Sequence, residues 1–264
     1  MSRQVAGITL TTDFGLRDPW VGTVKGVILR VTRDVHLVDL THDVAPHDIL
    51  EGALALEAAA PFFPDGTVHL AVVDPGVGGA RRALVIARPD QRFVGPDNGL
   101  FTPFLQTPGW RAFELSAPEY RLPEVSRTFH GRDVFAPAAA YLALGVPAER
   151  FGAEVTDPVR LPWPTPHPIQ GGLAGEIVHV DRFGNLVTSI RADDLAGDSV
   201  VGVAGREVAL VGTYADIQIG QVAGLIGSRG RLEVAARERS AAATLGVGRG
   251  APVTVRGRSS VTKK

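Results

Sequence analysis

Residues 1–160 alternate short β-branched runs with longer alanine- and leucine-rich segments, and this alternation leaves the chain few architectures. GITLTT, VHLVDL, VHLAVV, ALVIA and RFVG read as strands, while VGTVKGVILRV and ILEGALALEAAAPFF read as helices. The order strand, helix, strand, helix, strand predicts parallel βαβ units, hence an N-terminal α/β domain with a Rossmann-like, mostly parallel sheet. Ligands of such open sheets bind outside the carboxyl ends of the strands. Asp13, Asp39 and Asp74 each follow an apolar run and are candidates for that rim. Aspartates also end strands and cap helices, so each one alone has a purely structural reading.

The texture changes at LPWPTPHPIQGG, residues 161–172, where prolines with closing glycines predict a stiff linker. From 173 to 264 the pattern is of short strand-like segments separated by turn residues, as in GEIVHVD, LVTSI, VVGVAG, LEVAA and PVTV. A smaller antiparallel β-barrel domain is the expectation there.

The formal net charge of −1 offers no field for nucleic acid or anionic membrane, so a small molecule is the expected partner. Cysteine is absent, which excludes disulfides, thiolate catalysis and cysteine-ligated metals together. The opening MSRQVAGITLTTDFG is too short in apolar residues for a signal peptide, and no run reaches about 18 apolar residues. A cytoplasmic protein is expected.

VVDPGVGGARR, residues 72–82, runs a strand into an aspartate, glycines and paired arginines. It is not a nucleotide P-loop, which needs Gly-Lys-Ser/Thr where this chain has Ala80, Arg81 and Arg82. TDFG at residues 12–15 has the Asp-Phe-Gly of kinases but no His-Arg-Asp loop before it. Asp13 at a strand end suits a ribose diol, and Asp18 either joins the site or caps the helix near Trp20. THDVAPHD, residues 41–48, is the best place for a metal, although its histidines lack helical i, i+4 spacing and Asp48 also reads as a helix cap. His130 in RTFHGRDVF and Asp97-Asn98 in GPDNGLF lie on further loops that can reach the rim. In HVDRFGNLVTSI, Phe183 either stacks on a flat base or belongs to the core, and Asn185 either reads a base edge or makes the turn. Ser228 and Arg229 in GSRGRLE suit a carboxylate.

In this order, TDFG-x-x-D, VVDPGVGG-x-RR, PDNGL, TFHGRD, VDRFGN and SRG-x-L-E closely resemble the S-adenosyl-L-methionine (SAM) hydrolase (adenosine-forming) family. The family is also called SAM hydroxide adenosyltransferases and is related to fluorinase and chlorinase. The resemblance implies an N-terminal α/β domain, a C-terminal β-barrel, and a homotrimer with substrate held between one subunit's N-terminal domain and its neighbour's C-terminal domain. It implies a catalytic set of Asp74, Arg81 and His130, which the halogenases lack. It places Asp13 on the ribose, Asp18 and Asp181 near the methionine amine, and Phe183 and Asn185 with the adenine. Ser228 and Arg229 fall in the methionine-carboxylate region, with Glu233 and Ala236 in the stretch that follows. Fluorinase's long insertion before PNNGL is missing, and Arg237 stands where the family commonly has asparagine.

The implied reaction is attack of water on ribose C5′ of SAM, with methionine leaving as a neutral thioether. SAM is then the substrate, no cofactor or metal is required, and the difficulty lies in a nucleophile with a pKa of about 15.7. An opposite charge at hydrogen-bonding distance favours a carboxylate's charged form, the service Arg81 would render Asp74, while His130 would help relay the proton. Which group takes the proton first stays open. The rival readings are a SAM-dependent halogenase, a noncatalytic adenosine or SAM sensor, and a metal hydrolase built on THDVAPHD.

Overall fold

The computed structural model describes residues 6–195 and 199–257. It divides into two compact units, Met1–Pro162 and Trp163–Lys264.

The first unit is built on seven strands: β1 (Ala6–Thr12), β2 (Val35–Thr41), β3 (Val68–Val72), β4 (Ala83–Ala87), β5 (Arg92–Pro96), β6 (Arg111–Glu114) and β7 (Glu154–Val155). Their order in the sheet is β2-β1-β3-β5-β4-β6-β7. The β2-β1-β3-β5 half is parallel, as the βαβ pattern predicts, and β4, β6 and β7 add an antiparallel half. ALVIA and RFVG thus form a hairpin-like antiparallel pair rather than continuing the parallel set. Few residues separate them, too few for the crossover that parallel pairing requires.

The strand period of two sorts the side chains. Ile8, Leu10, Val68, Leu70 and Val72 share one core with helices α1 (Trp20–Val31) and α3 (Ala136–Ala143). In α1 the buried Val21, Val24, Val27 and Ile28 fall on one helical stripe. Thr9 and His69 alternate with those residues, and His69 meets Phe63 and Phe93. Helix α2 (Ile49–Ala59) starts at Asp48, whose side chain accepts the Glu51 N–H at 2.9 Å, so the capping reading of Asp48 holds. By contrast α1 has Pro19 at its N-cap and no capping side chain, so Asp18 is not spent there.

In the second unit the strands are β8 (His167–Ile169), β9 (Gly172–Val180), β10 (Leu186–Arg191), β11 (Ser199–Val203), β12 (Arg206–Ala209), β13 (Val222–Ile226), β14 (Arg231–Ala236) and β15 (Pro252–Gly257). They form an antiparallel sheet in the order β12-β11-β15-β9-β10-β14-β13 with β8 beside β9. A bridge between Leu210 and Gly224 brings the two ends together, which nearly closes the sheet into a barrel. Ile177, Leu186, Ile190, Val201, Leu232, Val234 and Val253 fill it. The segment read as a linker contains β8, which pairs through His167, Pro168 and Ile169 with β9. Proline is tolerated in this strand because β8 lies off the main ladder as an edge.

Among the described residues no helix is long and apolar enough to cross a membrane.

His69 makes one consequence of this packing measurable. It is fully buried, bonds Thr9 Oγ1 at 2.8 Å, and stacks on Phe93 with ring centroids 4.9 Å apart. Burial pushes its pKa from 6.5 down to about 4. The unfolded imidazole therefore gains a proton as pH falls through 6.5 while the folded one resists, and stability is lost between 6.5 and about 4. At about 1.4 kcal/mol per unit the loss is on the order of 3 kcal/mol. His69→Leu is expected to lose less stability than the parent between neutral pH and about pH 4.5, read from denaturant midpoints.

Candidate active site

The carboxyl ends of β1 and β3 open onto a cleft of about 310 Å³ in the first unit, lined among others by Asp13, Trp20, Asp74, Phe129 and His130. Asp13 directly follows β1, and Asp74 lies two residues beyond β3. His130 precedes a π-helical turn, Gly131–Phe135, that leads into α3. Such turns re-aim side chains at helix starts and are frequent at functional sites.

Arg81 joins the other two members of the proposed set. Its Nε donates to both Asp74 oxygens at 3.0 Å, its Nη2 also pairs with Asp74 Oδ2, and Nη2 donates to His130 Nδ1 at 2.8 Å. The Arg81 and Asp74 side chains are only 11% and 5% exposed, so their attraction is little screened by solvent. Behind the guanidinium the Phe135 ring lies 5.2 Å from Cζ. Guanidinium is a donor only, so neutral His130 must accept at Nδ1 and carry its own proton on Nε2. Burial, and then the charge of Arg81, push the His130 pKa below its ordinary value, against the opposing pull of Asp74 and Asp133.

The glycines make this possible. Gly78 has φ +76°, and a Cβ there would stand 2.2 Å from the Arg127 carbonyl oxygen, in the segment that delivers His130. A Cβ on Gly76 would meet Arg81 Cγ at 3.3 Å. The next arginine goes elsewhere: Arg82 bonds Asp97 at 2.7 Å and Asp157 at 2.8 Å. Asp97 is therefore a structural partner, and Asn98 ties its turn to the Val73 carbonyl at 2.8 Å.

THDVAPHD supports Asp13. His42 is buried, with Nδ1 2.8 Å from Thr12 Oγ1 and Nε2 3.0 Å from Asp39, which also pairs with Lys25. Asp39 thus belongs to β2 and this network, and it does not line the cleft. The backbone N–H of His47, a residue at φ 69°, donates to Asp13 Oδ2 at 3.0 Å. Among the described residues no group of three or more His, Asp or Glu side chains is placed to hold a metal. Asp18 is exposed and is not among the lining residues.

The second unit carries its own cleft, of about 670 Å³. It gathers Asp181, Phe183, Asn185, Ser228, Arg229, Glu233 and Ala236 from the β9–β10 turn, the β13–β14 turn and β14. Asp181 shapes the first turn by accepting the N–H groups of Phe183 (2.9 Å) and Asn185 (2.8 Å) and the Asn185 side-chain amide (2.9 Å). Phe183 is 78% exposed at the tip, so the core reading of it is wrong. Gly184, at φ +82°, passes so close to Ser240 that a Cβ would stand 2.1 Å from its hydroxyl oxygen. Glu233 is buried and accepts from the Tyr214 hydroxyl at 2.9 Å. Burial and that carboxylate push the Tyr214 pKa up to about 12.

Sequence reasoning missed Tyr214. The Thr213–Asp216 capping box marks its turn, but nothing local shows that the ring faces Glu233. Arg237, the departure from the family pattern, donates from Nη1 to the carbonyls of Ala215 and Ile217, both at 3.1 Å. It stitches down the turn that bears Tyr214.

Models of the N-terminal and C-terminal domains of the SAM hydroxide adenosyltransferases match residues 8–152 and 175–254. The chain belongs to this family. A relative from Thermus thermophilus named (R)-S-adenosyl-L-methionine hydrolase is 46% identical, the match covering 92% of this chain and 96% of that one. Its namesake from Salinispora tropica is 41% identical over 91% and 94% of the two chains. A fluorinase of an Actinoplanes species is more distant, at 31% over 94% and 96%. Among solved structures, a conserved protein from Thermotoga maritima superposes with a TM-score of 0.88 at 34% identity, over 95% of this chain and 99% of that one. Family membership accounts for both the α/β unit and the barrel.

Gly78→Ala combines a left-handed backbone with a backbone clash, whereas Gly79→Ala meets only the Gly76 carbonyl at 3.1 Å. Gly78→Ala is expected to cost about 1–3 kcal/mol and Gly79→Ala less, compared by denaturant midpoints.

Proposed function

We propose that this protein hydrolyses (R)-S-adenosyl-L-methionine to adenosine and L-methionine. The observation that carries the reading is the hydrogen-bonded Asp74–Arg81–His130 cluster at the ligand edge of the sheet, in a family whose similar members bear that hydrolase name. The (R) epimer comes from those relatives' names, and a chiral sulfonium gives an asymmetric cleft something to select.

In this reading Asp13 holds the ribose diol, and water sits behind C5′ opposite the sulfonium. The water oxygen bonds to C5′ as the C5′–S bond breaks, its electron pair stays on sulfur, and the water gives up a proton. His130 donates its Nε2–H, because Arg81 occupies Nδ1. Asp74 is then the acceptor that first receives the proton, which it passes to solvent. Fixing water and carbon in line contributes the orientational part of the rate enhancement.

The second cleft suits the remainder of the molecule. Phe183 offers an exposed face to adenine, and Asn185, whose amide N–H₂ serves Asp181, keeps its carbonyl oxygen for the base edge. Asp181 accepts three bonds of the roughly four a carboxylate can take, which leaves capacity for an ammonium. Asp18 is proposed near the same amine, Ser228 and Arg229 at the methionine carboxylate, and Glu233 and Ala236 beside the adenine. We propose a homotrimer in which one subunit's first cleft and a neighbour's second cleft share one substrate, in the cytoplasm and without a cofactor.

Mass spectrometry of the nucleoside formed in heavy-oxygen water tests the reading: label is expected in the 5′ oxygen of adenosine, from the (R) epimer faster than from the (S). Added chloride or fluoride is expected to yield no 5′-halo-5′-deoxyadenosine. Asp74→Asn and Arg81→Ala are each expected to lower kcat by about 100-fold or more, with a smaller change in KM; equal effects on both constants would make them binding residues only. Because the His130 pKa is lowered and the neutral ring is the active form, turnover is expected to persist as pH falls below 6.5 and to decline only in more acidic solution. His130→Ala should slow turnover and change that acid limb; an unaltered limb removes His130 from the chemistry.

A further inference from the structure

Resting on that reading of the first cleft, we propose that Trp20 is the residue that recognises the positive sulfonium, through the face of its indole ring. A trialkyl sulfonium carries a full charge and no N–H or O–H, so no conventional hydrogen bond identifies it. Among side chains, a carboxylate or a π face attracts such a charge most strongly. The carboxylates of the cleft have other calls on them: Asp74 is held by Arg81, and Asp13 accepts the His47 N–H and faces the ribose diol in this reading. His130 brings no compensating charge.

What remains is aromatic. Phe14, Trp20 and Phe129 line the cleft together. Trp20 meets Phe129 with centroids 5.3 Å apart at 79°, and Phe14 meets Phe129 at 5.8 Å and 69°. Edge-to-face contacts of this kind hold the rings in fixed orientations. The cluster already binds one cation, since the Arg132 guanidinium lies 5.3 Å from the Phe129 centroid. Phe14 is half-buried, whereas Trp20 is 46% exposed at the first residue of α1. It is the aromatic surface of this cleft most open to a ligand.

The chemistry gives the contact a sign. Positive charge leaves sulfur as the C5′–S bond breaks, so the attraction is strongest in the bound substrate and fades toward the transition state. Trp20 should therefore lower KM without raising kcat. It should also weaken its hold once sulfur is a neutral thioether, which favours product release.

Trp20→Leu keeps an apolar side chain and removes the π face. With (R)-S-adenosyl-L-methionine its KM is expected to rise about 3- to 30-fold, with kcat unchanged or higher. Inhibition constants for adenosine and S-adenosylhomocysteine, which lack the charge, are expected to move less than about twofold; Trp20→Phe should lie between parent and Trp20→Leu. Tryptophans of increasing fluorination at position 20 weaken the π face with little change of shape, and KM should climb with each fluorine even if the leucine variant folds poorly. Equal weakening of charged and neutral ligands, a fall in kcat at constant KM, or no trend along the fluorinated series would overturn the proposal. If the unaltered protein releases no adenosine from either epimer, the proposed function fails instead.

Discussion

One guanidinium organises the first cleft. Arg81 holds Asp74 through Nε and Nη2 and turns the same Nη2 to His130 Nδ1, so a single donor fixes the position of an acid and the tautomer of an imidazole. Lysine could donate to both partners, but it presents a point charge where this site uses a planar fork. With both side chains almost withdrawn from water, the pair is strongly coupled, and loss of either partner would leave a buried charge uncompensated. The Phe135 ring and the tight glycine turn are what keep the fork in place.

Around this centre the polar residues divide into those that line the cleft and those that hold the first group still. His42, Thr12, Asp39 and Lys25 form a chain beneath the Asp13 loop, and the His47 backbone reaches Asp13 itself. The His/Asp cluster that looked most like a metal site in the sequence is thus scaffold for a carboxylate. In the second unit Asp181 and Arg237 have comparable duties, each spending hydrogen bonds on backbone to set the direction of Phe183 and Tyr214. A cleft whose recognition groups are so supported loses less side-chain entropy on binding.

The two arginines of VVDPGVGGARR show how much a spacing can and cannot reveal. Their neighbours in sequence are shared, yet Arg81 goes to Asp74 and His130 while Arg82 goes to Asp97 and Asp157. The two side chains diverge, so one serves the cleft and the other pins the start of β4. The ordered motifs singled out Asp74, Arg81 and His130, and the structure brings these three side chains into one hydrogen-bonded cluster.

By itself the sequence determined the α/β character of the first unit, the antiparallel barrel of the second, the cap at Asp48 and the motif set of the family. These depend on periodicity and on residues a few positions apart, which the chain displays directly. Only the tertiary structure decided that Phe183 lies outside the core, that Asp39 and Asp97 are structural, that His42 faces inward, and that Trp20 and Tyr214 line clefts. Several of those outcomes depend on where segments distant in sequence meet, as when the ring of Tyr214 reaches Glu233 on another strand. Local propensity is silent on such meetings, because they are set by how two elements pack and not by the residues on either side.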